Sequence, residues 1–108
     1  MRHAHLNDMI KGWFVGAFSP TVFSTDACEV ALKTYKEGEK EAAHFHKVAT
    51  ELTLVVSGKI RMLQKEWGPG DIIVIEPGEA CEFEALTDAV NVVVKLPGAT
   101  NDKFLATL

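Results

Sequence analysis

The chain has 108 residues, 47% hydrophobic and 24% charged, with a formal charge of −4 at neutral pH. Such a composition describes one ordinary folded domain, small enough that a second copy would help its core, and no basic patch marks it for nucleic acid. Its apolar runs fall far short of the roughly 20 residues that cross a bilayer, so no membrane partner is expected.

The N-terminus, "MRHAHLNDMIKGWF", lacks the apolar core and cleavage site of a secretory signal. The expected compartment is therefore the cytoplasm, where Cys28 and Cys81 stay reduced. The next stretch, "GWFVGAFSPTVF", gathers Trp13, Phe14, Phe18 and Phe23. Packing over one end of the core or against a neighbouring subunit is the favoured role for these aromatics, ahead of lining a ligand pocket.

From about residue 28 the chain alternates short strand-like runs with Gly, Pro or polar breaks. "EVALKTY", "AAHFHKV", "TELTLVV", "KIRMLQKEW", "IIVI", "CEFEAL" and "AVNVVVKL" predict seven or eight strands and an all-β barrel or sandwich. The tail "PGATNDKFLATL" is left between a short helix and a surface wrap. The expected organisation is a single domain: a covering segment over 1–27, a barrel over 28–96 and a tail over 97–108. In "TELTLVV", if Glu51, Thr53 and Val55 face inward, then Leu52, Leu54 and Val56 form an outward aliphatic row. Such a row needs a cover, either the N-terminal segment or a second subunit, and a homodimer is the expectation.

The chemistry concentrates in "GEKEAAHFHKVATELTLVVSG". Alternate strand residues share a face, so His44 and His46 point the same way, and Glu51 opens the next strand where it can return to the same place. Two imidazoles and a carboxylate with open positions suit non-haem Fe(II), and Mn, Ni, Co or Zn as well. An H-x-H pair alone is weak, as His3 and His5 illustrate. The spacing around this one is not: Gly38, five residues, His44-x-His46, four residues, Glu51, six residues, Gly58 resembles the first cupin motif at every fixed position. The resemblance covers residues 30–96. It implies a double-stranded β-helix, the cupin jelly-roll barrel, with a divalent transition metal inside, held by His44, His46 and Glu51.

The second cupin motif is matched in part. Gly70 and Gly78 fall in place, Glu76 holds the proline position with Pro77 one residue late, Ala85 replaces the final asparagine, and Cys81 stands where the fourth ligand, a histidine, is usual. Parity in "CEFEAL" puts Cys81 and Phe83 on the inner face and Glu82 opposite. Cys81 is then either a thiolate ligand or a small buried hydrophobe, with the balance slightly toward the latter. Around the trio, Thr53, Tyr35, Arg61 and Gln64 are candidate polar lining for a small oxygenated ligand. The resemblance admits a metal-dependent dioxygenase or isomerase, a non-catalytic small-molecule or carbohydrate binder, and a metal-free sugar-nucleotide isomerase or epimerase. The intact metal motif disfavours the last.

Overall fold

In a computed structural model, described over residues 1–106, the chain forms two five-stranded sheets packed face to face. The strands are β1 (Trp13–Val15), β2 (Glu29–Tyr35), β3 (Lys40–Phe45), β4 (Thr50–Ser57), β5 (Ile60–Met62), β6 (Lys65–Trp67), β7 (Ile72–Ile75), β8 (Cys81–Ala85), β9 (Ala89–Leu96) and β10 (Phe104–Leu105). One sheet runs β1-β2-β9-β4-β7 and the other β10-β3-β8-β5-β6, with every strand pair antiparallel. The only helical element among the described residues is a single 3-10 turn, Leu6–Asp8, and none of their helices is long and apolar enough to cross a membrane.

Period-two alternation decides what fills the space between the sheets. Val55, Ile60, Met62, Ile73, Ile75, Cys81, Phe83, Ala85 and Ala89 make an apolar plug at one end. Tyr35 lies against this plug with its ring centroid 4.3 Å from that of Phe83. Toward the other end the inward positions turn polar: His44 and His46, Glu51 and Thr53 on β4, Lys33 on β2, Asn91 and Lys95 on β9. All of these but His46 line an open cavity of about 1110 Å3. The glycines of the first motif serve turns: Gly38 and Gly58 have φ of 90° and 82°, and a side chain on Gly58 would collide with the Asp88 carbonyl.

Three expectations change. "KIRMLQKEW" is two strands, not one, because Leu63 and Gln64 both adopt left-handed φ (54° and 61°) and close a tight β5–β6 hairpin. Arg61 and Gln64 are consequently exposed and contribute nothing to the interior. Trp13 and Phe18 line the cavity, since β1 adds to the edge of β2 with Trp13 opposite inward-facing Ala31. The tail supplies β10, which pairs with β3 and places Phe104 opposite Phe45, their rings stacked at 5.6 Å.

The outward aliphatic face is covered in part. Leu6, Met9, Phe14 and Val22 gather with Leu32 of β2 and Val92 of β9 around a small apolar crevice. On β4 and the edge strand β7, Leu54, Val56, Ile72 and Val74 remain 36%, 48%, 66% and 49% exposed.

Candidate metal centre

β3 and the loop after it deliver the two histidines. A register shift between Glu41 and His44 breaks the β3–β8 ladder, and His44 then stands opposite Cys81. His46 begins the loop 46–49, and the chain turns back so that Glu51 is the second residue of β4. The carboxylate of Asp102, arriving from the C-terminal segment, holds this loop: it accepts N–H bonds from Lys47 (2.9 Å), Val48 (3.1 Å) and Ala49 (3.0 Å). Its own backbone carbonyl accepts from His46 Nδ1 at 2.5 Å. His44 Nδ1 lies 3.2 Å from the Ala42 carbonyl.

Those two carbonyls fix the tautomers. A carbonyl oxygen can only accept, so each Nδ1 carries the proton and each neutral ring leaves a lone pair on Nε2. His46 Nε2 is buried with no hydrogen-bond partner and sits 3.5 Å from Glu51 Oε1. That separation is too long for a good hydrogen bond. Two lone-pair-bearing atoms facing each other in a buried site need a cation between them, a proton or a metal. One ligand atom from each of His44, His46 and Glu51 lies within 4.8 Å of the others. Ligands about 2.1 Å from a common ion stand at most roughly 4.2 Å apart, so closure asks for small side-chain movements only. The donor set, with an orphaned Nε2 and carbonyl-anchored Nδ1 atoms, fits a divalent transition metal.

The electrostatics agree. Burial holds His44 below the usual imidazole range, so its Nε2 lone pair is free near neutrality. The Glu51 carboxylate holds His46 above that range, against the effect of burial. Burial alone would raise Glu51, but His46 and the charge of Lys95 outweigh it and keep the carboxyl below its ordinary value.

Cys81 lies on the inner face of β8 as parity requires, 4% exposed and lining the same cavity. Its sulfur is not among the converging ligand atoms; the thiol donates to the Glu82 carbonyl at 3.1 Å. Burial pushes it up to about 11, so it is a neutral thiol at physiological pH. Of the acidic neighbours, Glu79 is exposed and Glu82 accepts from the Gln64 N–H. Thr53 and Tyr35 do face inward. The Tyr35 hydroxyl donates to Glu41 at 3.2 Å, and burial, followed by that carboxylate, pushes it well above the usual phenol range, which unsuits it as a base.

Two residues of the site escaped sequence reasoning. Asp102 acts through the loop and His46, and nothing in "ATNDK" points to a residue some 50 positions upstream. Asn91 is 1% exposed, lines the cavity and has an unpartnered Oδ1. A lone asparagine at an inward position of "AVNVVVKL" is a visible signal, since buried amides are rarely left unpaired.

A two-sheet antiparallel barrel of this topology, with a His/His/Glu cluster that could hold a metal ion, has the architecture of a double-stranded β-helix. Solved structures place it further: the fold is that of the cupins. The chain is similar to a Klebsiella pneumoniae protein with a double-stranded β-helix domain, at TM-score 0.70 and 24% identity over 76% of this chain and 72% of that one. It is similar to KdgF from Halomonas sp., at TM-score 0.63 and 20% identity over 70% and 75% of the two chains. The DMSP lyase DddQ from Ruegeria pomeroyi superposes at TM-score 0.72 with 16% identity, over 87% of this chain and 49% of the lyase. No family sequence model and no curated protein sequence matches the chain.

Proposed function

We propose that the protein is a metal-dependent cupin that binds, and acts upon, a small oxygenated molecule inside the barrel. The observation that carries this reading is the buried, unpartnered Nε2 of His46 facing Glu51. His44, His46 and Glu51 would hold one divalent ion, and such an ion supplies Lewis acidity to a chelating oxygen. The chain's own residues do the rest. The Asp102 carbonyl fixes the His46 tautomer, Met62, Cys81 and Phe83 of the apolar plug line the cavity, and Thr53 and Asn91 offer polar atoms to the ligand. The similar folds include a sugar phosphate isomerase and oxalate decarboxylase, whose metal in one study is Mn(II), so lyase, isomerase and decarboxylase chemistry are the reaction classes to assay. The deciding experiment is metal analysis of untagged protein together with mass spectrometry of any small molecule released on denaturation. A metal-free, ligand-free preparation that takes up none of the candidate ions would end this reading.

Cys81 is proposed to face the metal without bonding to it. The Co(II) protein should show only weak visible bands, with no strong near-ultraviolet thiolate-to-cobalt absorption, and Cys81→Ser should leave the spectrum unchanged. Cys81→His should tighten metal binding by supplying the usual fourth ligand. A strong band that vanishes in Cys81→Ser would make Cys81 a ligand.

The uncovered apolar face is proposed to bury itself against a second copy. β7 is an edge strand whose unpaired backbone and outward Ile72 and Val74 suit isologous pairing with the same strand of another chain, continuing over Leu54 and Val56. Light scattering at micromolar concentration should report twice the chain mass. Leu54→Lys should shift it to monomer or cause insolubility, because a buried unpaired ammonium is costly. A monodisperse monomer in the unmodified protein would remove the idea.

A further inference from the structure

Four lysines, Lys11, Lys33, Lys95 and Lys103, line the same cavity as the His/His/Glu cluster. Five glutamates, Glu29, Glu39, Glu41, Glu51 and Glu82, line it as well, so the lysines are a local grouping within the cavity and not an excess of positive charge over the whole of it. Lys33 and Lys95 are its centre. They occupy inward-facing positions, Lys33 in line with Ala31 and Tyr35, Lys95 in line with Asn91 and Val93. The indole of Trp13 is shared between them, 5.7 Å from Lys33 Nζ and 4.8 Å from Lys95 Nζ. Lys95 also stands in register opposite Glu51. No lysine forms an ion pair among the described residues, where His46–Glu51 is the sole pair. Of the cavity's other carboxylates, Glu41 accepts from Tyr35, Glu29 from the Ala99 N–H, Glu39 from the Lys36 N–H and Glu82 from the Gln64 N–H, and among the described residues none lies within ion-pair distance of a lysine.

Inward ammonium groups without an ion-pair partner, crowded on one wall, repel one another and lose hydration, and Glu41, Glu51 and the Trp13 ring offset these costs only in part. Burial holds Lys33 below its ordinary value, and although Glu41 pulls it up, Lys11, Lys103 and Lys95 add to the depression. An anion seated among them would relieve both costs.

We propose that Lys33 and Lys95, braced by Trp13, form an anion subsite beside the His/His/Glu cluster, and that the natural ligand is a small organic acid or phosphate ester. Its anionic end lies at the lysines and its oxygen-bearing reacting end at the metal. The subsite itself stands without the metal; only the ligand's second anchor rests on the function proposed above. Ammonium groups, as compact point charges, accept either a carboxylate or a phosphate, so both anions belong in the test.

The test is calorimetric titration of the full-length protein, metal-free and Zn(II)-loaded, with succinate, inorganic phosphate and neutral succinamide. Chemical shifts of the Trp13 indole N–H, assigned through Trp13→Phe, report the location. Both anions, or the one that matches the natural ligand, should bind and move the Trp13 signal in metal-free protein, and succinamide should not. Lys33→Gln and Lys95→Gln should each weaken binding by about tenfold, the order expected for one charge-assisted contact, while Arg at either position restores most of it. Metal stoichiometry and melting temperature of the Gln variants should match the parent, which separates a lost subsite from a lost fold. Equal binding of succinamide and succinate, or unchanged anion affinity in the Lys33→Gln/Lys95→Gln variant, would overturn the proposal. Anion binding that survives in a protein taking up no metal would uphold the subsite and reject the metal reading.

Discussion

Replacing His44 and His46 together with alanine is expected to lower bound metal from one ion per chain to background, and to abolish the metal-dependent rise in melting temperature. The two rings supply both nitrogen donors of the cluster, and Glu51 alone in a half-open cavity is a weak site for any transition ion. Binding to the native state alone contributes about 4 kcal/mol when free metal exceeds its dissociation constant a thousandfold. For a domain of this size each kcal/mol shifts the melting midpoint by about 4–8 °C. The comparison has to be metal-added minus metal-free for each protein, because His46→Ala also removes the bond to the Asp102 carbonyl and lowers the apoprotein's stability by about 1 kcal/mol. Atomic emission on dialysed protein gives stoichiometry directly. If the double variant keeps one ion per chain, the metal lies elsewhere and the assignment of all three ligands fails.

The legible parts of this molecule were those written in local periodicity. Alternation placed β2 at Glu29–Tyr35 and put Cys81 and Phe83 inside and Glu82 outside, because a strand's faces follow from counting by two. The motif spacing brought His44, His46 and Glu51 to one place, since a short loop between two paired strands leaves little choice of register. Where the backbone departs from habit, reading failed. Leu63-Gln64 closes a hairpin with none of the Asn-Gly chemistry that announces such turns, so "KIRMLQKEW" passed for one strand. Sequence alone favours packing for Trp13, because its register against β2 is set by a long-range pairing. The inward lysines were legible in principle: parity with Ala31 and Tyr35 puts Lys33 inside, just as parity with Asn91 puts Lys95 there. Charged residues at inward positions are where local pattern and core formation disagree, and such disagreements concentrate at functional sites.

Asp102→Ala is expected to destabilise the protein by about 3 kcal/mol and to weaken metal binding without touching a ligand. Its carboxylate collects the N–H groups of Lys47, Val48 and Ala49, and charge-assisted bonds are worth roughly 1.5–3 kcal/mol each. The full sum is not reached, because Lys47 and Val48 are exposed and can turn to water, whereas the buried Ala49 N–H cannot. Burial would raise the Asp102 carboxyl, but the N–H groups of Ala49, Lys47 and Val48 outweigh it and hold it below its ordinary 3.8. A carboxyl whose folded value is depressed contributes stability that is fully present above the unfolded value and is lost as pH falls through the folded one. Asp102→Asn, which keeps an acceptor but no charge, should therefore cost less than Asp102→Ala at pH 7. Its deficit against the parent should shrink as the pH is lowered below 3.8. Metal affinity reports the other half of the role. With the loop 46–49 released, His46 loses its fixed carbonyl partner, and a loss of about 10–100-fold in affinity follows from comparable outer-shell changes. Urea unfolding at pH 7 and at acid pH, paired with metal titration of each variant, separates the two effects. An Asp102→Ala protein with the parent's stability and metal affinity would show that the loop holds its shape without this carboxylate.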